Sequence, residues 1–596
     1  MTLAEIRKIP QNCLMLLTGQ PGAGKSALSH LITLTGIASE RPVIFVTTEG
    51  FPRDVDNKLK DKGLGDIDPT MLIYIDAFSE TVGLKPEKKP GIIKANCIDL
   101  NSMSMAITKA SQRIGKQDLL LIFDSLTSPY YFSGSEVVRF VRLFLSKFTA
   151  QDNAVVAMID EGCGKPEDLV AIESAANGIL ELQLQNGTRY VHVVKHPTIS
   201  SGKFELPGEF KPTMRGIFEE DPDKVKPYVD AQVRGIPDYL RPGIGDFLPP
   251  LWPNLAHWSG VLWDPHRFPR MIYDLNKEEG KLIRDSINLL PNSQRLFFKS
   301  LFKLQSIGLV LPKSFSSVRD MERSTRFGIP YIYGANMEHS GIIEYQPAIS
   351  KPDEHYFKIL ENSDCWGLND VGTTTASHIP AAMAGVTSCF ELENRDWNAI
   401  ETRCIGSGDP HCEVKLVPGE IPELDMALEK SAEEIQRIID KLLDYVSAYI
   451  LENKAFPSRP QCGDDVQIHV AFHAMGFPHV AGERFTMAQR MGGAKIGRDL
   501  GNRLIQAGLA PDEAIQRVVK FMNDFKVGKV TTGDTICIEY NIESMRTAFW
   551  TNIDQPSCYF TTGFLNGLLS ALKNQRVWEV KCFAVDDPYC EWVISN

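Results

Sequence analysis

Short apolar runs alternate with amphipathic stretches over the first 205 residues of the chain. The runs are rich in β-branched residues and short, so they predict strands rather than buried helices. Most of them lack a polar alternation, and we therefore expect a largely parallel sheet with helices on both faces. The runs are CLMLLTG, PVIFVTT, MLIYIDAF, DLLLIFDS, AVVAMI, GILELQL and YVHVVKH. The pattern predicts an α/β domain over residues 1–205.

The pattern changes after this domain. Nine prolines lie in the 47 residues from Pro207 to Pro253, which is too many for long helices or central strands. We interpret residues 206–254 as a proline-rich linker.

Two later segments, residues 255–418 and 457–596, end in similar phrases. The phrases are IETRCIGSGDPHCEVKLV and VWEVKCFAVDDPYCEWVIS, and both contain Glu-x2-Cys-x7-Cys before a β-type ending. The chain therefore contains an internal repeat, and each copy is long enough to bury a core of its own. We predict two α+β domains.

An amphipathic helix is predicted between the repeats, over residues 419–456. Leu428, Ile435, Leu442 and Tyr449 recur at heptad spacing, and further apolar residues fill the same face. The pattern is typical of a helix of about eight turns. A helix packed between domains is favoured over a dimerising coiled coil, because the heptad pattern covers barely three repeats.

Composition limits the function classes. Hydrophobic residues make up 43% of the chain and charged residues 23%, which is typical of a globular protein. The formal net charge of -12, without any Lys/Arg-rich stretch, argues against a nucleic-acid partner. No apolar run approaches the ~18–20 residues of a membrane-spanning helix, and no secretory signal is evident. We expect a cytoplasmic protein without membrane insertion.

A phosphate-binding loop is predicted at the end of the first apolar run. The segment GQPGAGKS matches G-x4-G-K-[ST] and stands between a predicted strand and a predicted helix, as the motif requires. Backbone amides of such a loop point at phosphate oxygens, Lys25 reaches the β- and γ-phosphates, and the Ser26 hydroxyl binds Mg²⁺. The predicted nucleotide-binding residues are Gly19, Gln20, Pro21, Gly22, Ala23, Gly24, Lys25 and Ser26. We therefore predict ATP and Mg²⁺ as cofactors.

Two acidic residues at strand ends complete this predicted site. Asp124 ends the run LLLIFD, and Glu49 ends PVIFVTTE. ATP hydrolysis requires a carboxylate that directs Mg²⁺ and a group that activates water. We assign Mg²⁺ binding to Ser26 and Asp124, and catalysis to Glu49 and Lys25. The alternative is that the two carboxylates are solvated helix caps.

The order of these motifs resembles the KaiC branch of the RecA-like ATPases over about residues 1–205. The resemblance implies that Glu49 is the catalytic glutamate, that Asp124 is the Walker B aspartate and that the chain forms a homo-oligomer. Two positions depart from the family: Pro197 replaces the arginine of a Lys-x-Arg-Gly phrase, and Gly50 stands where a second glutamate is common. Because a missing cation can cost orders of magnitude in rate, we expect ATP binding with slow hydrolysis.

Three cysteines and one glutamate in the last repeat form a candidate zinc site. The residues are Cys558, Glu579, Cys582 and Cys590. Thiolates and carboxylates are accepted Zn²⁺ ligands, and four of them make a closed, structural site. Ordinary buried thiols are the alternative. A disulfide scaffold is not expected, because twelve cysteines are sparse in a chain of 596 residues.

The same residues resemble the 4-vinyl-reductase domain, which also serves as the sensor of phenol-responsive regulators. The resemblance rests on Cys-x4-Gly-x3-Gly from Cys558, on Glu-x2-Cys-x7-Cys and on the glycine-rich stretch MGGAKIGRDLGNRL. It implies that Zn²⁺ is bound by the four residues, beside a buried pocket for a small hydrophobic or aromatic ligand.

The first repeat matches three of the four ligand positions. The matching residues are Glu401, Cys404 and Cys412. The remaining position falls at Ala376, and we assign the fourth ligand to His378 nearby, since imidazole is an equally good zinc ligand. Cys365 and Cys389 are competing candidates.

These features predict an ATP-binding, slowly hydrolysing RecA-like module coupled to the sensing or handling of a small hydrophobic ligand in two zinc-stabilised domains. An ATP-dependent component of tetrapyrrole or hydrocarbon metabolism and a nucleotide-switched assembly scaffold are the alternatives. Reductase activity is not expected, because the sequence has no dinucleotide fingerprint and no cysteine spacing of an iron–sulfur centre.

Overall fold

The computed structural model divides the chain into two compact units, residues 1–211 and 212–596. The boundary falls inside the segment interpreted as a linker. The described residues are 6–206 without 66, 88, 186 and 187; 221, 223, 224, 227, 228 and 231; 236–281; and 339–595 without 347, 352, 377, 391–394, 478–480, 550–552 and 554.

A single mixed sheet forms the centre of the first unit. Its strands are β1 (Cys13–Gly19), β2 (Val43–Thr47), β3 (Leu72–Asp76), β4 (Ile92–Lys94), β5 (Leu120–Asp124), β6 (Ala154–Met158), β7 (Gly178–Gln185), β8 (Thr188–Lys195) and β9 (Gly202–Leu206). Within the described residues the order is β4-β3-β2-β5-β6-β1-β7-β8-β9. Neighbours from β4 to β7 are parallel, and β8 and β9 are antiparallel. The α/β domain with a large parallel sheet is confirmed.

The helices of the first unit connect these strands. They are α1 (Lys25–Ala38), α2 (Pro52–Asp61), α3 (Leu100–Ile114), α4 (Thr127–Ser133), α5 (Glu136–Arg139), α6 (Ser146–Thr149) and α7 (Pro166–Ala175), with a π-helical segment at Phe140–Leu145. Strands β2, β3 and β6 are buried along their whole length, as their unbroken apolar runs predict. Helix α1 begins directly after the loop that follows β1, so it places that loop at the carboxyl edge of the parallel strands.

Two antiparallel sheets with the same strand order lie in the second unit. A short pair, β10 (Phe247–Leu248) and β15 (Val466–Gln467), is separate from them. The strands of the two sheets are β11 (Ile342–Tyr345), β12 (His355–Leu360), β13 (Trp397–Arg403) and β14 (Cys412–Pro418), and β16 (Lys529–Thr532), β17 (Thr535–Glu539), β18 (Arg576–Lys581) and β19 (Cys590–Ser595). The orders are β11-β12-β14-β13 and β16-β17-β19-β18 among the described strands. The internal repeat of the sequence is thus a repeat of the fold.

Helices pack around these two sheets. They are α8 (Leu251–Trp263), α9 (Phe268–Lys281), α10 (His378–Phe390), α11 (Leu424–Leu428), α12 (Ala432–Glu452), α13 (Ile468–Met475), α14 (Glu483–Gln506), α15 (Pro511–Asp524), α16 (Ile542–Met545) and α17 (Tyr559–Lys573). Glycines allow α14 and α17 to approach closely: a Cβ at Gly497 would lie 2.0 Å from the carbonyl oxygen of Phe564, and one at Gly567 would lie 1.9 Å from that of Ala494. The first repeat uses the same device, because a Cβ at Gly385 would lie 1.9 Å from the carbonyl oxygen of Lys277.

The helix predicted over 419–456 is divided in two. Helix α11 ends at Leu428, and α12 begins after Ser431, whose side chain forms a capping box with Glu434. The cap ends the continuous pattern, so α12 has 21 residues and is shorter than predicted. Its apolar stripe, including Ile435 and Leu442, is buried in the core of the second unit, which agrees with a packed helix and leaves no seam for a coiled coil.

Part of the segment interpreted as a linker is also packed within this unit. Arg241 and Leu248 are fully buried, and β10 pairs with β15. Within the described part of the chain, every helix is too short or too polar to cross a membrane.

Candidate functional site

The predicted phosphate-binding loop joins β1 to α1. Gly19, Gly22 and Gly24 have φ angles of 137°, 82° and 106°, which L side chains rarely adopt. At Gly19 a Cβ would also lie 2.2 Å from the carbonyl oxygen of Leu182, whereas a Cβ at Gly22 would meet no atom within 4 Å. The glycines therefore serve two purposes: one lets the loop pass a neighbouring strand, and the others shape an open concave backbone.

Lys25 contacts the backbone of this loop and a neighbouring carboxylate. Its ammonium group donates hydrogen bonds to the carbonyl oxygens of Gly19 (2.7 Å) and Gln20 (2.9 Å). It also forms an ion pair with Asp160, in which Nζ and Oδ1 are 2.7 Å apart. Asp160 follows the end of β6 and was not predicted from the sequence. The signal that could have identified it is a carboxylate just beyond another apolar strand. A phosphate that binds Lys25 must compete with this carboxylate.

Asp124 and Glu49 lie at the same edge of the sheet as Lys25. Asp124 is the last residue of β5 and pairs in register with Thr47 of β2. Glu49 lies two residues after Thr47, just beyond the end of β2. The side chain of Ser26 hydrogen-bonds to Asp124. Burial, together with the negative charge of Glu49, raises the pKa of the Asp124 carboxyl to about 7. The structure thus brings together two oxygen groups suited to Mg²⁺ and a second carboxylate.

Glu49 is held by hydroxyl groups of the segment after β5. Ser125 donates a hydrogen bond of 2.7 Å to its Oε1, and Ser128 donates one of 3.2 Å to the same oxygen. Lys195, in contrast, is used locally, since its ammonium group donates to the carbonyl oxygen of Ala176 at 2.6 Å. The side chain of Arg189 lies beside the loop, where its Cδ would be 3.1 Å from a Cβ at Gly24.

These residues fit Mg²⁺–ATP. The open glycine backbone suits phosphate oxygens, Lys25 supplies a cation, and the Ser26 hydroxyl and Asp124 carboxylate are the oxygen ligands that Mg²⁺ prefers. Neighbouring hydroxyl groups hold the Glu49 carboxylate in position. A group that orients water needs to be held in this way.

The four predicted zinc ligands of the second repeat converge in a buried cluster. All candidate donor atoms of Cys558, Glu579, Cys582 and Cys590 lie within 4.8 Å of one another. The sulfur atom of Cys558 is 3.7 Å from that of Cys582 and 3.4 Å from that of Cys590, and the latter two sulfurs are 4.0 Å apart. These spacings exceed a disulfide bond by far. They match the edge of a tetrahedron with Zn–S bonds of ~2.3 Å, which is about 3.8 Å.

Local structure places each of these ligands. Cys558 is the N-cap of α17, Glu579 lies in β18 before a register shift, Cys582 precedes the 3₁₀ turn Phe583–Val585, and Cys590 starts β19. The backbone amide of Ser557 donates a hydrogen bond of 3.4 Å to the sulfur of Cys582. A polar cluster of this kind, buried together, is compatible with zinc.

The first repeat contains an equivalent cluster, with one difference from the sequence-based assignment. Its residues are Cys365, Glu401, Cys404 and Cys412. The sulfur of Cys365 is 3.5 Å from that of Cys404 and 3.4 Å from that of Cys412, and the last two are 3.9 Å apart. The competing candidate Cys365 therefore takes the fourth place.

The assignment of His378 as the fourth ligand needs correction. Its Nδ1 lies 2.7 Å from Oδ1 of Asp364, outside the cluster. His378 is near Ala376 in sequence, but at the start of α10 its side chain contacts the carboxylate of Asp364 instead. The side chain of Cys389 lies outside the described part of the structure.

The third thiol of the cluster comes from different positions in the two repeats. The amide of Thr375 donates to the sulfur of Cys404 at 3.2 Å, as that of Ser557 does to Cys582, so Ala376 and Cys558 occupy equivalent positions. The strand registers pair Ile359 with Cys412 and Ile538 with Cys590. Counting six residues onward from each isoleucine gives Cys365 in the first repeat and Ser544 in the second. The thiol of Cys590 donates to the Ser544 hydroxyl at 3.3 Å.

The thiols differ in acidity within each cluster. Hydrogen bonds from Cys365 and Cys412 hold the pKa of Cys404 far below its ordinary value. Burial alone would raise the pKa of Cys590, but hydrogen bonds from Cys558 and Cys582 lower it to about 5. Each cluster thus holds one thiol whose pKa is lowered, and a lowered pKa favours the thiolate form that binds metals.

Comparison with known proteins concerns the N-terminal part of the chain. Residues 3–200 match the family model "ATPase: KaiC". A UPF0273 protein of Methanopyrus kandleri is 25% identical over 241 residues, which cover 39% of this chain and 92% of that protein. A UPF0273 protein of Thermotoga maritima is 24% identical over 189 residues, covering 30% of this chain and 73% of its own length.

One solved structure also aligns with part of the chain. The crystal structure of a KaiC-like protein from Pyrococcus horikoshii is 18% identical to the chain, covers 34% of it and 87% of that protein, and has a TM-score of 0.26. The family match, the relatives and the geometry of the loop agree on the same segment: the N-terminal part of this chain is a KaiC-like, RecA-type P-loop ATPase module.

Proposed function

We propose that the protein binds ATP in its N-terminal module, hydrolyses it slowly, and couples nucleotide state to the sensing or handling of a small hydrophobic ligand in two zinc-stabilised repeats. The observation that carries the nucleotide part is the convergence of Lys25, Ser26, Asp124 and Glu49 at one edge of the sheet. The observation that supports zinc is the tetrahedral sulfur spacing in both clusters. The ligand class rests on the resemblance of the repeats to the 4-vinyl-reductase domain.

In this proposal each residue of the loop has one task. Lys25 leaves Asp160 and contacts phosphate oxygens, while Ser26 and Asp124 hold the metal ion. Bound Mg²⁺ supplies charge neutralisation at the phosphates. Glu49 orients a water molecule. The rate is low because Lys195 is engaged by Ala176 and Pro197 offers no cation.

The nucleotide proposal is tested by removing the cation of the loop. Lys25→Ala should abolish measurable ATP binding in isothermal titration calorimetry. Lys109→Ala, which removes an exposed lysine on α3, is the matched control and should bind like the parent protein. Retained binding in Lys25→Ala would overturn the assignment of the loop.

The zinc proposal is tested by counting metal ions. Native mass spectrometry with elemental analysis should find one Zn²⁺ for each of the two cysteine clusters, and Cys590→Ala should lower the zinc count by one. Cys537→Ala alters a half-buried cysteine outside both clusters and should keep both ions. A protein free of Zn²⁺ after purification and incubation with excess Zn²⁺ would contradict the proposal.

The coupling proposal has its own test, because linkage between two sites is reciprocal. ATP affinity is measured with and without saturating phenol or toluene as probes of the repeats. Coupling predicts a change in ATP affinity of roughly 5-fold or more with at least one probe that binds. If a probe binds and ATP affinity and turnover stay unchanged, the coupling is absent. Light scattering with and without ATP tests the homo-oligomer that we propose alongside.

A further inference from the structure

A third cluster of metal-ligating residues lies in the second unit, apart from both cysteine clusters. His469 and His473 are four residues apart on α13, so their imidazoles share one face of the helix. Glu279, near the end of α9, meets them there, and the candidate donor atoms of the three residues all lie within 4.8 Å of one another. From this convergence we infer a further metal site, built from two imidazoles and one carboxylate, for a divalent transition-metal ion such as Zn²⁺.

The spacing of the donors suits such an ion. The candidate donor atoms lie within 4.8 Å of one another. Nδ1 of His473 donates to Asn276 and is also 3.1 Å from Oε2 of Glu279, which leaves Nε2 of His473 as its metal-binding nitrogen. Ligands at ~2.0–2.2 Å from a tetrahedral Zn²⁺ are about 3.4 Å apart, so small rotations about side-chain bonds bring the wider pairs to this distance. Three protein ligands leave one position for water or a substrate, which is the arrangement of catalytic rather than structural zinc. The three residues are partly accessible, in contrast to the buried cysteine clusters.

Neighbouring side chains orient the two imidazoles. The amide nitrogen of Asn276 donates to the carbonyl oxygens of Ile272 (2.8 Å) and His473 (3.2 Å), and this fixes its Oδ1 at 2.8 Å from Nδ1 of His473. Nδ1 of His469 is 3.3 Å from the hydroxyl of Tyr228. A partner at Nδ1 directs Nε2 of His469 toward a metal, as is usual for metal-bound histidines.

The bland alternative is a hydrogen-bonded group of His473, Asn276 and Glu279 without any ion.

Metal counting on the full-length protein distinguishes the two cases. The protein is stripped with a chelator, reloaded with Zn²⁺ and analysed by native mass spectrometry. We expect Glu279→Gln and His473→Gln each to lose one ion relative to the parent protein, with affinity at that site weakened at least 100-fold. His266→Gln is the matched control, since His266 is exposed and lies outside the cluster, and it should keep the parent count.

Folding and the cysteine sites are controlled in the same sample. Ions held by the cysteine clusters must remain in Glu279→Gln, which shows that the second unit is folded. With Co²⁺ in place of Zn²⁺, the ion lost from Glu279→Gln should carry no thiolate-to-cobalt charge-transfer absorption, whereas ions bound by cysteines should carry it. Failure of the cysteine sites to bind zinc would leave this difference between variant and parent intact.

Two results would overturn the inference. One is an equal metal count in the parent protein, Glu279→Gln and His473→Gln at saturating Zn²⁺. The other is loss of an ion whose cobalt spectrum shows thiolate ligation. Either outcome would identify the cluster as a hydrogen-bonded group only.

Discussion

One thiol of the cluster comes from Cys365 in the first repeat and from Cys558 in the second. The equivalence of the two arrangements can be tested by moving the thiol of the second repeat to position 544. In the second repeat, Cys558→Ala removes one of four ligands from the cluster. Zinc binding by small structural sites is worth ~10–16 kcal/mol, so one ligand of four contributes about 3 kcal/mol, and its loss should weaken zinc binding roughly 100-fold. The variant Ser544→Cys/Cys558→Ala then places a thiol where the first repeat has Cys365.

The structure gives the reason to expect recovery. The buried Ser544 hydroxyl is already 3.3 Å from the sulfur of Cys590. A thiol at this position extends somewhat further than the hydroxyl and can complete the set of three sulfurs and one carboxylate. The double variant should therefore regain most of the lost affinity. The mirrored pair is Cys365→Ser, which should lose the first ion, and Cys365→Ser/Ala376→Cys, which should recover it.

The assay is competition between the protein and a colorimetric zinc chelator, with thermal unfolding measured in parallel. Cys537→Ala serves as the control for a cysteine substitution outside the clusters and should leave both affinities unchanged. If the double variants bind zinc no more tightly than Cys558→Ala and Cys365→Ser while remaining folded, the equivalence of the two positions is refuted.

Further predictions concern the loop, a buried histidine and helix packing. Asp160→Asn removes the ion pair that competes for Lys25 and should tighten ATP binding roughly 5-fold in calorimetry, because such a pair is worth about 1 kcal/mol; weaker binding would contradict this. Burial lowers the pKa of His30 to about 4, so the unfolded state binds more protons between pH 6.5 and 4 and stability falls as pH drops through this window. Urea unfolding at pH 7 and pH 5 should show a loss that is smaller by about 2 kcal/mol in His30→Gln. Gly497→Ala should lower the melting temperature by several degrees, since its Cβ would collide with the facing helix, whereas Gly533→Ala, in open space, should not.

Local motifs made the first module predictable from the sequence. The loop residues Gly19–Ser26 are contiguous, and Asp124 ends an apolar strand, so both could be assigned from the order of residues along the chain. Asp160 could not, because its contact with Lys25 depends on β6 lying beside β1 in the sheet. Strand order is a long-range property that the apolar runs alone do not determine.

The repeats show the same limit. Cys404 and Cys412 were found because one short phrase contains them, and the expected fourth ligand was sought near Ala376 on the basis of glycine spacing. The thiol of Cys365 reaches the cluster from the end of β12, through pairing of β12 with β14. The cluster of Glu279 and His469 was missed for a similar reason, since its members lie on separate helices and only the His-x3-His spacing was visible.

The turns that contain Cys365 in the first repeat and Ser544 in the second are alike in detail. This likeness bears on why each cluster has three thiols. Asn362 accepts a hydrogen bond from the amide of Asp364, and Asn541 accepts one from that of Glu543, both at 3.1 Å. The backbone thus holds Cys365 and its counterpart in the second repeat in the same place. The first repeat has alanine (Ala376) at the position of Cys558, and the second has serine (Ser544) at the position of Cys365, so packing accepts a residue other than cysteine at each position. A hydrophobic core does not require that exactly one of these two positions be a cysteine. A four-ligand metal site does, because no cysteine at either position leaves three ligands, and a cysteine at both gives five. The constant set of three thiols and one carboxylate, reached from different points of the chain, therefore supports the proposed zinc sites.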